Sequence, residues 1–93
     1  LQDSRLHLGG VVHFDNAEKV CADGVKLLKQ AGKTLVIDMQ TLSSSNSLVV
    51  AILVSWTRMA SSLQQTLHIT HTPDKLRAII RVSGLTAALP ELP

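Results

Sequence analysis

The sequence predicts an α/β fold, with a mixed β-sheet of about four strands and helices packed on it, in a single domain over residues 1–93. Three observations carry this. Strand-like and helix-like segments alternate in the order β-β-α-β-α-β-α, the pattern of helices covering a largely parallel or mixed sheet. The segment "TLVIDM" (34–39) is short, β-branched and apolar, as a strand buried on both faces must be. Hydrophobic residues make up 45% of the 93 and charged residues 17%, which fits one globular domain with its own core.

The elements follow in order. "RLHLGGVVHF" alternates loosely around Gly9-Gly10 and reads as a β-hairpin or two short strands joined by a tight turn. Asp15 or Asn16 offers an N-cap, and Ala17, Val20, Cys21, Val25 and Leu28 recur at helical spacing, so a first helix is expected over 16–31. Gly24 weakens that helix by about 1 kcal/mol relative to Ala, and Gly32 suits a left-handed stop. "TLVIDM" ends near Asp38. A polar loop leads into a second helix from about Ser47 to Leu63, then "TLHITH" is a third strand-like run. Pro73 suits the first turn of a last helix with Thr72 as its cap, closing at Gly84. Consecutive helices are expected on one face of the sheet unless the strand order reverses.

Composition excludes several function classes. Nine Lys and Arg against seven Asp and Glu give a net charge of +2 with no basic run, and Phe14 and Trp56 are the sole aromatics. Nucleic-acid binding, which needs a basic surface or several exposed rings, is not expected. The longest unbroken apolar run, Leu48–Val54, is far short of the roughly 20 residues of a membrane span, so no direct membrane insertion is expected. Cys21 is the single cysteine, which excludes an intrachain disulfide and favours a reducing compartment. It falls inside an amphipathic helix, where a small buried hydrophobe is the usual case.

No motif points to catalysis. His68 and His71 form H-x-x-H, but at a strand end and turn, without a Cys or carboxylate neighbour to complete a metal set. Asp38 beside a Ser-rich loop faintly resembles a hydrolase or Mg²⁺ site, yet neither a nucleophile elbow nor a Gly-rich phosphate loop accompanies it. No enzymatic activity, metal or cofactor is expected.

The informative stretch is "TLSSSNSLVV" (41–50), where a polar tract runs straight into apolar residues. Asn46 and Ser47 are both good N-caps, and capping alone can explain the collision. Capping is the simpler reading, but a helix N-terminus also accommodates an anion, which makes Ser47 a candidate phosphorylation site as well. On a helical wheel Val49, Ile52, Leu53, Trp56, Ala60 and Leu63 form a core face. Ser47, Ala51, Val54, Ser55 and Arg58 lie opposite, with Val50 at the border, and residues 47–57 carry no charge. Such a flat, small-residue face suits either packing against another protein or burial by the chain itself.

The strand "TLVIDM", the loop "QTLSSSNS", the helix "LVVAILVSW" and the ending "PDKLRAIIRVSGL" together resemble the STAS domain, from about Arg5 to Leu89, with the tail "SGLTAALPEL" similar to the MlaB-like branch. In that family a strand ends in Asp, and about seven residues later Asp-Ser/Thr-Gly-Leu/Gly opens a helix. Asp38 matches the first Asp, Asn46 stands at the second, Ser47 at the phosphorylated hydroxyl and Leu48 at the Gly. The resemblance implies a non-enzymatic cytoplasmic subunit, held peripherally at the inner membrane. It would bind and support the ATPase subunit of a phospholipid-transporting ABC complex through Asn46, Ser47, Val50, Ala51, Val54, Ser55 and Arg58. The alternative it implies is an anti-sigma factor antagonist, partnered by an anti-sigma factor kinase and switched by phosphorylation of Ser47.

Overall fold

A computed structural model describes residues 4–91. Its elements are β1 (Ser4–His7), α1 (Ala17–Gln30), β2 (Thr34–Asp38), α2 (Ser47–Ser62), β3 (Thr66–Thr70) and α3 (Asp74–Val82). The α/β class is as expected, but among the described residues the sheet has three strands, all parallel, in the order β1-β2-β3. The strand order does not reverse, and α1 and α2 pack together and share one core.

The hairpin does not form. After β1 the chain keeps running alongside the segment that follows β2: Leu8 N–H donates to the Asp38 carbonyl, Gly10 N–H to Thr41 and Ser43 N–H to Gly10. Both glycines favour this approach. A side chain at Gly9 would collide with Thr41, and Gly10 has a φ of +74°, in the left-handed region. The loose alternation therefore belongs to an extended segment tied by a single parallel bridge, Gly10 to Leu42.

Period-two alternation divides the sheet. Leu6 of β1, Leu35 and Ile37 of β2, and Leu67 and Ile69 of β3 enter one core with Val49, Leu53 and Trp56 of α2, Leu28 of α1, and Leu76 and Ile80 of α3. The alternate positions, Arg5, His7, Val36, Asp38, His68 and Thr70, belong to the other face. As expected for a central strand, β2 is buried from Leu35 to Asp38.

Several helix ends differ from expectation. Asn16 precedes α1 without capping it, because its Oδ1 accepts from His13 N–H instead. At the other end Ala31 is extended and Gly32 is not left-handed. The Gln65 side chain, from beyond α2, donates to the carbonyls of Leu28 and Gly32 and does the work of a C-cap. Thr72 does not cap α3. Pro73 is the N-cap residue, and Thr72 is buried. Gly84 does end α3, with φ +74°. Leu63, expected in the core, is 40% exposed at the C-cap of α2.

Candidate functional site

In a parallel sheet each strand leads into its helix at the same end, so the N-termini of all three helices gather there. The segments 8–16, 39–46 and 71–73 form this end, where open α/β sheets present their sites.

The Ser-rich loop has a definite structural task. Asn46 Oδ1 accepts from Val49 N–H at 3.1 Å and so caps α2. Asn46 Nδ2 also donates to the Val12 carbonyl (3.3 Å), and the buried Ser44 hydroxyl accepts from Val12 N–H at 2.8 Å. The polar tract thus satisfies both backbone groups of Val12, whose side chain is in the core. The expected hairpin would have met that need with strand pairing. Ser47, next to the cap, is the exposed first residue of α2.

Beyond Ser47, α2 presents Ala51, Ser55 and Arg58 outward, all exposed, with Val54 half-buried against the core. Val50 does not belong to this face. At 7% exposure it lies in the core. Between the N-terminal halves of α1 and α2 runs a shallow groove lined by Ala17 and Cys21 on one side and Leu48, Ala51 and Ser55 on the other. Further along, the helices close up: Trp56 lies against Gly24, and its Nε1 donates to the Cys21 carbonyl at 3.0 Å.

Sequence reasoning missed the 8–16 segment. Phe14 is 86% exposed and Val11 57%, both in the loop before α1 whose Val12 carbonyl Asn46 holds. The signal was legible in "HFDN", where the chain's one Phe stands among polar residues instead of on an apolar face.

Asp38, the strand-end residue, is a hub on the other face of the sheet. It accepts from Arg5 Nη1 at 2.8 Å and from Gln40 N–H at 2.9 Å, with His71 Nδ1 3.2 Å away and His7 Nδ1 at 3.9 Å. The Gln40 backbone N–H, Arg5 and His71 together hold its carboxyl below the usual value of 3.8, against the opposing effect of burial. An Arg-paired carboxylate bonded in this way fits a structural tie better than a Mg²⁺ ligand. His68 lies in β3 and His71 in the turn against Asp38, and among the described residues no group of three or more His, Cys, Asp or Glu could hold a metal ion. No helix among them is long and apolar enough to cross a membrane.

These features make a small α/β module with a capped helix N-terminus and an α2 outer face that carries no charge before Arg58. The family model described as the Mlab STAS domain matches residues 1–91, and the chain belongs to that family. A chain of the Acinetobacter MlaFEDB complex, solved in an ATP-bound conformation, is similar at 30% identity and a TM-score of 0.83, over 95% of this chain and 93% of that one. The anti-sigma factor antagonist SpoIIAA shares the fold at 17% identity. Its unphosphorylated form superposes with a TM-score of 0.77 over 99% of this chain and 81% of its own. Its phosphorylated form, from Bacillus, gives 0.71 over 98% and 83%. No curated protein matches the sequence.

Proposed function

We propose that this chain is the MlaB-type subunit of a phospholipid-transporting ABC complex. It binds the ATPase subunit on the cytoplasmic side of the inner membrane and supports its assembled or active state without catalysing a reaction itself. The observation that carries this is the outer face of α2, from Ser47 through Ala51 and Ser55 to Arg58, which is exposed and uncharged as far as Arg58. A solvated helix face would ordinarily carry Glu, Lys or Gln, and small residues let a partner approach the backbone closely. The similarity to a chain of the MlaFEDB complex supports the choice of partner. To support the ATPase, the module must bind one of its states more tightly than the others.

Capture of the cognate ATPase subunit by the purified chain tests the reading. Ala51→Glu introduces a charge on the exposed face without disturbing the core and is expected to abolish capture while thermal unfolding is unchanged. Capture by Ala51→Glu at the wild-type level would sink the assignment. Ala51 is a cleaner probe than Val54, which is half-buried and packs on the core.

A second reading draws on Ser47, an exposed hydroxyl at a helix N-terminus in a chain sharing the fold of SpoIIAA. A phosphate there would add about −1.5 to −2 charges to the docking face and switch binding off. Incubation with a cognate serine kinase and ATP, followed by intact mass of the wild type and Ser47→Ala, separates the two readings.

A further inference from the structure

We infer that Phe14, with Val11 beside it, is a preformed anchor that inserts into an apolar pocket on the same protein partner, a pocket with basic residues at its rim. The inference rests on the reading above and adds to it the anchor, the groove beside it and the chemistry of the partner's surface.

The loop that carries Phe14 is held on every side. Val12 N–H donates to Ser44 Oγ and Asn46 Nδ2 donates to the Val12 carbonyl, so α2's capping segment fixes the middle of the loop. Asn16 closes the rest: its Nδ2 donates to the Val11 carbonyl at 2.7 Å and its Oδ1 accepts from His13 N–H at 2.9 Å. Ala17 N–H donates to the His13 carbonyl, and Asp15 N–H to His13 Nδ1. Val12 points into the core, while Val11 and Phe14 point out.

Single exposed apolar residues are ordinary on protein surfaces. This pair differs in two respects. Its backbone is fixed by these hydrogen bonds, so little backbone freedom is lost when a partner covers it. Phe14 also stands three residues before Ala17, which lines the groove that runs along the small-residue face of α2. An aromatic prong beside an apolar groove and a flat small-residue face has the make-up of an interface centre.

Charge selects the occupant. Asp15, its side chain in solvent with the exposed His13 ring 3.9 Å away, and the exposed Glu18 lie within four residues of Phe14, while Lys19 leans towards Asp23 at 3.8 Å. An anionic lipid surface would be repelled by these carboxylates, and so would a second copy of the same patch. A protein pocket with Arg or Lys at its rim is complementary.

The test measures binding to the assembled cognate transporter for the wild type, Phe14→Ser, Asp15→Lys and Ala51→Glu, with thermal unfolding of each. Phe14→Ser is expected to weaken binding by about tenfold or more and Asp15→Lys to weaken it less, both with unchanged unfolding. If Ala51→Glu abolishes binding and Phe14→Ser binds like the wild type, the anchor is overturned and the docking face stands. If the wild type does not bind the transporter, the functional reading fails, and with it the partner named here. Sedimentation and flotation with phosphatidylglycerol vesicles then show whether Phe14 serves self-association or lipid, and either result overturns the inference, as does the absence of both.

Discussion

At the scale of single residues, Asp38 shows how a strand-end carboxylate can be structural. Its partners Arg5 and His71 each lie 33 positions away, brought in by the parallel register that sets His7, Asp38 and Thr70 side by side. The sequence marks the Asp but not the partners, because register is a property of the assembled sheet. His71 has a φ of +54°, uncommon for a residue with a side chain, and its contact with Asp38 is one interaction that holds it there. The effect on stability has a definite sign. A carboxyl whose pKa is lowered by folding stabilises the native state above its unfolded value, and that contribution disappears as pH falls through the folded value. Asp38→Asn should therefore be less stable than the wild type at neutral pH, and the gap should close as pH drops below 3.8. Urea denaturation of both proteins across the acid range measures it. A gap that stays constant through that range would mean the Asp38 charge does not matter. Val50 teaches the complementary lesson. A border position on an ideal wheel goes wherever the neighbouring elements leave room, and here α2 is covered widely enough to bury it.

At the scale of elements, the helices were legible and their ends were not. Apolar periodicity located α1, α2 and α3 to within a residue or two, because each buries one stripe. The ends depend on distant groups: Gln65 serves the C-terminus of α1, and Asn16 is drawn into the loop before it. Gly24 is the clearest conflict between local and tertiary preference. In isolation Ala would favour the helix by about 1 kcal/mol. In the folded chain a Cβ at this position would run into the Trp56 indole, and moving that ring also endangers the bond from Trp56 Nε1 to the Cys21 carbonyl. Overpacking costs about 1–3 kcal/mol and the hydrogen bond about 1 kcal/mol more. The tertiary terms win, so Gly24→Ala should destabilise the protein by about 1–3 kcal/mol despite the better helix former. Equilibrium urea unfolding decides it, and a variant more stable than the wild type would show that α1 and α2 can move apart freely.

At the scale of the whole molecule, the alternation of strand-like and helix-like segments identified the α/β class but overcounted strands, because an extended segment and a paired strand share one local pattern and differ only in what lies beside them. The same ambiguity hid the tail "LTAALPELP", which has no strand-like run of its own. In the fold, residues 85–91 return to β3 and cover its free edge. Ile69 N–H donates to the Pro90 carbonyl at 3.0 Å, Glu91 bridges to Ile69, and Leu89 is sealed in the core. Arg77 of α3 grips Glu91 through both carboxylate oxygens, at 2.7 and 3.0 Å. Two forces could hold this strap, and their magnitudes separate them. The Arg77–Glu91 pair is bidentate but solvent-exposed, and exposed pairs contribute little and are screened by salt. Replacing a fully buried leucine with alanine typically costs about 2–5 kcal/mol, through lost transfer energy and the cavity left behind. Leu89→Ala should therefore destabilise the fold strongly, and equally in low and high salt, whereas Arg77→Ala should have a small effect that shrinks as salt is added. Paired urea titrations of the two variants at both ionic strengths measure the ranking. If Arg77→Ala proved the more damaging, the strap would be held by its ion pair and not by the leucine beneath it.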